Sequence, residues 1–176
     1  MTSNSNTLLA AGQPLPVITF PLVGGGTASV GEAGDQTTLF IVYRGKHCPR
    51  CKKYLNQLES MKKDWADAGV SVVCVSADTE SKAAADVAEF GWTFPVGYDL
   101  AEADMRKLGL YVSEPLSPEE TDKRFAEPGV YVVKPDGTVQ IIAISNGPAA
   151  RPDLVELLDG VNFNIKNDRP TRGMVV

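Results

Sequence analysis

Two cysteines in a C-x-x-C arrangement, Cys48 and Cys51, lie between a strand pattern and a helix pattern. The preceding run TLFIVY, at residues 38–43, is apolar almost throughout, as in a strand that is covered on both faces. Apolar residues then recur at three- and four-residue spacing from Tyr54 to Trp65, and Pro49 suits a first helical turn. The junction predicts that Cys48 begins a helix directly after a buried strand.

A cysteine at the start of a helix is chemically favoured as a thiolate. The first backbone N–H groups of a helix have no intrahelical partner, and the helix dipole is positive there. The segment also carries five cations and no acid before Glu59, although the net charge of the chain is -5. These cations are Arg44, Lys46, Arg50, Lys52 and Lys53. We therefore expect the Cys48 thiol to have a pKa below the usual value of about 8.5, as in a redox-active dithiol.

Structural or metal-binding roles are the alternatives to redox chemistry for the cysteines. A structural zinc site needs four ligands, and only Cys74 and the adjacent His47 remain to complete one. Cys74 lies among valines in a strand pattern and is expected to pack as a small apolar residue. His47 has no visible acid to orient it as a general base, so a local electrostatic role is preferred. We expect neither a metal nor a bound cofactor.

The composition is that of one soluble globular domain, spanning residues 1–176, with 43% hydrophobic and 22% charged residues. The negative net charge, with basic residues gathered at one place, argues against a nucleic-acid partner. Three cysteines do not form a disulfide framework. The start, MTSNSNTLLAAGQ, has no basic region of a signal peptide, and no run approaches membrane-spanning length. A cytoplasmic location away from membranes is expected.

The remaining patterns predict an α/β fold with a central mixed β-sheet and helices on both faces, a thioredoxin-like fold. Strands or hairpins are expected at residues 14–30, 70–76, 92–99, 130–133 and 138–144. Further helices are expected at residues 78–90, 100–108 and 152–158. Three segments stand apart: a flexible lead at 1–11, an inserted loop at 111–127 and an extended tail at 162–176.

The run VYRGKHCPRC resembles the FYRGxWCPYC signature of peroxiredoxin-like proteins in the alkyl hydroperoxide reductase / thiol-specific antioxidant (AhpC/TSA) group of the thioredoxin superfamily. The similarity continues in SADTESKAAADVAEFGWTFPVGYDL, EPGVYVVKPDGTV and ARPDLVELL, so it covers roughly residues 12–160. The resemblance implies that Cys48 is the attacking thiol and Cys51 the resolving thiol. It also implies that Pro128 is a cis-proline that faces the active site.

The chain departs from this family pattern at several positions. Typical members carry Pro, Thr and Arg where this sequence has Ile41, Gly45 and Pro128, and a Trp where it has His47. The absent Thr and Arg favour a disulfide substrate, whereas the family favours a peroxide, so both substrates stay open. The residues expected to support the two cysteines are Arg44, Gly45, His47, Pro49 and Pro128.

A thiol reductant of the thioredoxin or glutathione type is the expected partner, because the oxidised dithiol must be reduced again. A homodimer is one option for the oligomeric state. A non-enzymatic redox sensor or binding module is the alternative from a different functional class. Arg124, within the inserted loop, is expected to be a solvated charge.

Overall fold

The computed structural model describes residues 8–175, so most of the lead predicted at residues 1–11 lies outside the described residues. The strands are β1 (Ile18–Pro21), β2 (Thr27–Val30), β3 (Thr37–Val42), β4 (Val70–Val75), β5 (Val96–Gly97), β6 (Val112–Ser113), β7 (Phe125–Ala126), β8 (Gly129–Val133) and β9 (Val139–Ile144). The helices are α1 (Pro49–Ser60), α2 (Lys62–Asp67), α3 (Glu80–Phe90), α4 (Glu102–Lys107) and α5 (Leu154–Lys166).

A five-stranded mixed sheet in the order β5-β4-β3-β8-β9 forms the centre of the molecule. Strand β3 pairs in parallel with β4, where Ile41 is opposite Cys74, and antiparallel with β8, where Val42 is opposite Gly129. The segments that follow β3 and β4 and the segment that precedes β8 therefore meet at one edge of the sheet. This edge receives the segment that contains Cys48.

Side chains of β3 alternate between two apolar cores, as the two-residue repeat of a strand requires. Leu39 and Ile41 belong to the core that includes buried residues of α1, α2, α3 and α5. Phe40 and Val42 belong to the opposite core, which includes the β1–β2 hairpin and Met105 of α4. Helices thus cover both faces of the sheet, as the sequence predicted.

The helix predicted after Cys48 forms as two consecutive helices, α1 and α2, with Met61 between them. Leu55 and Leu58 of α1 and Trp65 of α2 are buried, in agreement with the apolar spacing in the sequence. Both predicted hairpins are present. Strands β1 and β2 pair around the three glycines at 24–26, and β8 and β9 pair around the turn at 134–137.

The closing helix α5 is longer than the helix predicted at residues 152–158. It continues to Lys166 because Val161 extends the buried stripe of Leu154 and Leu157 at helical spacing. Gly160 sits within the helix and does not end it. The extended tail predicted at 162–176 is therefore wrong for residues 162–166, which are helical.

The segment 111–127 begins and ends in a short antiparallel pair, since β6 pairs with β7. Phe125 and Ala126 of β7 are buried in one of the two cores, which anchors this end of the segment. From β7 the chain continues directly into β8.

The predicted cis bond at Pro128 is wrong, because every peptide bond among residues 8–175 is trans. Cis-prolines are typically found in tight turns, whereas here only Glu127 and Pro128 separate two strands. Pro128 is buried at the start of β8, where its carbonyl accepts a hydrogen bond from the backbone N–H of Ser145 at 3.1 Å. The trans isomer is compatible with both the direct connection from β7 to β8 and this hydrogen bond.

Candidate active site

Cys48 is the N-cap residue of α1, and Pro49 occupies the first turn. The Cys48 backbone has φ -104° and ψ 99°, an extended conformation that turns the sulfur toward the start of the helix. The backbone N–H of Cys51 donates a hydrogen bond to Cys48 Sγ at 3.2 Å. An N-cap side chain accepts such a bond in place of the missing helical carbonyl. The predicted position of Cys48 at the helix start is therefore confirmed.

Cys48 and Cys51 are joined in a disulfide, and their Cα atoms are 5.3 Å apart, within the usual range for such a bond. Both residues are buried, with exposed fractions of 1% and 0%. Cys74 is also buried but remains a free thiol, and burial raises its pKa well above the ordinary value. This environment agrees with Cys74 acting as an apolar packing residue in β4 rather than as a redox partner.

Gly45 allows the segment before Cys48 to pass close to a buried carboxylate. Its φ is +126°, and a Cβ atom at this position would lie 2.7 Å from both carboxylate oxygens of Asp78. Asp78 accepts a hydrogen bond from the backbone N–H of Lys46 at 2.6 Å, and the Gly45 carbonyl accepts one from the N–H of Cys48 at 3.1 Å. Burial raises the pKa of Asp78, although the Lys46 hydrogen bond partly opposes this effect.

Arg44 connects the segment before Cys48 to the inserted segment. Its Nη2 atom lies 3.3 Å from Glu120 Oε1, and its Nε atom lies 3.3 Å from Glu127 Oε2. Glu127 is buried and also accepts a hydrogen bond from the Ser113 hydroxyl at 2.7 Å. The guanidinium carbon of Arg44 lies 4.8 Å from the centre of the Phe125 ring. Arg44 is thus held by the middle and the C-terminal end of the segment 111–127.

Lys46 and Lys52 share a carboxylate from α3. Their Nζ atoms lie 3.4 and 3.5 Å from Asp86 Oδ1, and Asp86 is fully buried. Lys46 also lies 3.9 Å from Glu89. These acids follow the cations by more than thirty residues in the sequence. The basic segment is therefore partly neutralised by acids that only the fold brings to it.

His47 packs its ring against Phe125, with ring centres 4.6 Å apart. Both imidazole nitrogens are buried and have no hydrogen-bond partner among the described residues. Burial and the charge of Arg44 lower the pKa of His47, so the ring is neutral at pH 7. A neutral imidazole supplies no positive charge, and it can affect the site only through its shape and its unpaired nitrogens.

A cleft of about 550 Å³ opens beside these residues. It is lined by Lys46, His47, Lys52, Asp78, Lys82 and residues 118–122. The cleft offers amines, an imidazole and carboxylates next to the segment that carries Cys48. No group of three or more His, Cys, Asp and Glu side chains within residues 8–175 is arranged to hold a metal ion.

The structure brings four of the predicted supporting residues to the start of α1: Arg44, Gly45, His47 and Pro49. Pro128 lies at the same edge of the sheet, since the next residue pairs with the end of β3. Arg124 is more than half exposed, as expected, and pairs with Glu102 and Glu114.

Sequence reasoning missed the acids of the site, chiefly Asp78, Asp86 and Glu127. Asp78 had a usable signal, because it follows β4 and the ends of neighbouring parallel strands meet at one edge. Asp86 and Glu127 carry no comparable sequence signal. Across residues 8–175, none of the helices has the length and apolar character needed to cross a membrane.

The AhpC/TSA family model matches residues 11–142. No curated protein sequence matches the chain significantly. Among solved structures, a peroxiredoxin-like protein from Aquifex aeolicus is 20% identical with a TM-score of 0.76, over 89% of this chain and 88% of its own. AhpC of Mycobacterium tuberculosis is 16% identical with a TM-score of 0.73, over 92% of this chain and 95% of its own. Peroxidoxin BcpB of the same organism is 14% identical with a TM-score of 0.70, over 92% of this chain and 99% of its own. These similarities confirm the predicted fold.

Proposed function

The chain belongs to the AhpC/TSA family and is a peroxiredoxin-like thiol oxidoreductase, and on that premise we propose that Cys48 attacks the oxidised substrate and Cys51 resolves the product. The observation that carries this assignment is the N–H group of Cys51, which donates to Cys48 Sγ at the start of α1. In the reduced protein the same donor stabilises a thiolate on Cys48. Cys51 lies one turn further along the helix, where it is placed to form the disulfide.

With a peroxide, the Cys48 thiolate attacks one peroxide oxygen and the O–O bond breaks. The departing oxygen takes a proton as an alcohol or water, and Cys48 becomes a sulfenic acid. The Cys51 sulfur then attacks the Cys48 sulfur, water leaves and the disulfide forms. With a disulfide substrate, Cys48 first forms a mixed disulfide, and Cys51 releases the second substrate thiol. Two equivalents of a thiol reductant return the protein to the dithiol.

A specific observation favours a disulfide substrate as the second candidate. The Asp78 carboxylate fills the space beside Gly45, at the position where typical family members carry a threonine. An ionised carboxylate accepts hydrogen bonds but cannot donate one to a peroxide oxygen. Family membership favours the peroxide, and the Asp78 side chain favours the disulfide.

Stopped-flow fluorescence decides between the two substrates. Reduced protein is mixed with hydrogen peroxide, an organic peroxide or a small disulfide, and the second-order rate constants are compared. A peroxidase reacts much faster with one of the peroxides, whereas a disulfide reductase reacts faster with the disulfide. A protein that acts as a redox sensor reacts once and does not turn over in the presence of a thiol reductant.

The roles of the cysteines are tested by three substitutions. Cys48→Ser is expected to abolish reaction with any oxidant. Cys51→Ser leaves the first step intact and accumulates a sulfenic acid or a mixed disulfide, which mass spectrometry detects after one equivalent of oxidant. Cys74→Ser retains the reaction and serves as the control. Turnover by Cys48→Ser, or an oxidised wild type that links Cys74 to either partner, contradicts the assignment.

We propose a reducing compartment such as the cytoplasm as the place of action. The support is the cysteine inventory, since the only disulfide among the described residues joins the two reactive cysteines and Cys74 remains a thiol. A proximity-labelling measurement in intact cells tests the location, and labelling confined to an oxidising compartment contradicts it.

A further inference from the structure

A second concave site lies on another face of α1. Arg50, Lys53, Tyr54 and Gln57 are spaced i, i+3, i+4 and i+7, so they share one face of the helix. The segment 148–153, which leads into α5, lies beside this face, and the two border an open cavity of about 250 Å³. We call this cavity the basic pocket; it is lined by Arg50, Lys53, Tyr54, Gln57, Arg151, Asp153 and residues 148, 149 and 152.

Arg151 is held rigidly in the basic pocket. Its guanidinium carbon lies 4.4 Å from the centre of the Tyr54 ring, and its Nε donates a hydrogen bond to the Pro148 carbonyl at 3.1 Å. The Tyr54 hydroxyl in turn donates to the Pro152 carbonyl at 2.9 Å. The Nη1 atom of Arg151 is buried and has no hydrogen-bond partner among the described residues. Because Nη1 is itself buried, an anion can meet this guanidinium only through its other N–H groups, which form no salt bridge with a described residue.

The charges of the basic pocket are not balanced by acids. Within residues 8–175, Arg50, Lys53 and Arg151 form no salt bridge, whereas the ion pairs of this region belong to Arg44, Lys46 and Lys52. Burial lowers the pKa of Arg151, and the charges of Arg44 and Arg50 lower it further.

The one carboxylate in the lining, Asp153, binds backbone N–H groups of α5 and not the cations of the pocket. Its Oδ1 atom accepts hydrogen bonds from the backbone N–H groups of Val155 and Glu156 at 2.9 and 3.0 Å, which caps the start of α5. The net charge of the lining is therefore positive, with three cations against one acid.

The basic pocket adjoins the first turns of α1, and neither Cys48 nor Cys51 is among the residues that line it. Arg50 lies between Cys48 and Cys51 in the first turn of α1, and Lys53 follows Cys51 by two residues. A molecule of tripeptide size anchored by a carboxylate beside Arg50 needs to extend only along the first turn of α1 to reach the disulfide. The volume suits a small group rather than a segment of folded protein.

We propose that the basic pocket binds a carboxylate of a small anionic thiol, which is the compound that reduces the Cys48–Cys51 disulfide. This inference rests on the proposed function, since it names the class of its reductant. Arginine binds a carboxylate through two parallel N–H donors, and a lysine beside it adds charge. A neutral or cationic thiol lacks the group that this pocket recognises.

The reduction step balances with two equivalents of the thiol. The first thiolate attacks one sulfur of the Cys48–Cys51 disulfide, the S–S bond breaks, and the released cysteine thiolate takes up a proton. A second thiolate then attacks the outer sulfur of the mixed disulfide. The protein cysteine leaves and is protonated, and the two reductant molecules depart as their own disulfide.

Binding is tested without redox chemistry by using S-methylglutathione, a tripeptide with two carboxylates and a blocked thiol. Amide chemical shifts of the oxidised wild type are followed by NMR, and shifts are expected at Tyr54 and Arg151. Lys53→Gln and Arg151→Gln each weaken binding about three- to fivefold, because each removes one charged contact. Lys63→Gln, an exposed cation of α2 that pairs with Asp67, is the matched control. An absence of shifts at the pocket, or equal binding by Lys53→Gln and wild type, overturns the proposal.

Reduction is tested by single-turnover kinetics with glutathione and with cysteamine, a cationic thiol. Lys53→Gln is expected to slow reduction by glutathione about three- to fivefold and to leave reduction by cysteamine unchanged or faster. Rates are compared between variants, so the intrinsic reactivity of each thiol cancels. Equal slowing with both thiols, or no slowing with glutathione, contradicts the proposal. Oxidation of the reduced wild type is measured separately; if that step fails, the proposed function fails, while the S-methylglutathione titration still decides the pocket.

Discussion

Two groups of similar cationic side chains flank the start of helix α1 in opposite electrostatic surroundings. On one side, Lys46 and Lys52 meet the fully buried Asp86. On the other, Arg50 and Lys53 face Arg151 and form no salt bridge within the described residues. We call these the acid-paired side and the open side. The dithiol lies between them, at the helix start that both sides share.

The contrast between the acid-paired side and the open side shows that cations clustered in sequence do not share one electrostatic environment. A buried charge needs partners, because an unpaired charge in the interior is costly, so the fully buried Asp86 carboxylate is paired with Lys46 and Lys52. Arg50 and Lys53 are exposed, so they can remain unpaired and available to a ligand. The acid-paired side is therefore expected to support the structure, and the open side to support binding.

The largest expected effect is the loss of stability on removing Asp86. Asp86→Ala leaves two lysines without their buried partner and is expected to lower the free energy of unfolding by about 2–3 kcal/mol. Lys53→Gln, on the open side, is expected to change it by less than about 0.5 kcal/mol. Urea denaturation at pH 7 measures both. Similar losses in the two variants would erase the distinction between the two sides.

A second substitution disturbs the backbone next to Lys46, a cation of the acid-paired side. Gly45→Ala places a Cβ atom against the Asp78 carboxylate at a φ of +126°, so we expect a loss of about 2 kcal/mol. Gly34→Ala is the control, because nothing lies within 4 Å of a Cβ atom there. Thermal unfolding compares the two variants. A Gly45→Ala protein as stable as Gly34→Ala would mean that the close approach of Gly45 and Asp78 is not required.

A smaller effect concerns the Cys48 thiol, whose pKa is expected to move in opposite directions when the two sides are changed. In a Cys51→Ser background, Arg50→Gln removes a cation from the open side and raises this pKa by about half a unit. Asp86→Asn removes an anion from the acid-paired side and lowers it by about half a unit. Thiolate absorbance during a pH titration gives both values. Shifts of the same sign in the two variants would contradict the comparison.

The smallest effect is a change in the pH dependence of stability. Burial raises the pKa of Asp78 in the folded protein above its value of about 3.9 in the unfolded chain. At pH values between these two pKa values, the native state therefore binds more protons than the unfolded state. The Asp78 contribution to stability is therefore present at low pH and is lost as pH rises through the folded pKa. Asp78→Asn removes this dependence and keeps an acceptor for the Lys46 N–H.

Urea denaturation at pH 4 and pH 7 checks this expectation. The stability of Asp78→Asn relative to wild type should increase between the two values. A constant difference in the free energy of unfolding between the two proteins would show that folding does not change the pKa of Asp78.

Local sequence patterns determined much of the fold. The apolar run of β3, the helical spacing from Tyr54 to Trp65 and the position of Pro49 all act over a few residues, so they predict the strand, the helices and the junction at Cys48. The limits of such patterns show at α5. There the predicted helix ended at residue 158, but buried packing of Val161 continues the helix to Lys166.

The sequence by itself determined a redox dithiol at the start of a helix, because backbone conformation and helix capping depend on neighbouring residues. The electrostatic environment of that dithiol depends on the tertiary structure. Asp78, Asp86 and Glu127 lie about 30 to 80 residues from the residues they contact, and Arg151 lies about 100 residues from Arg50. The same holds for the trans bond at Pro128. Coulomb interactions and burial depend on distance through space, which sheet pairing and helix packing set.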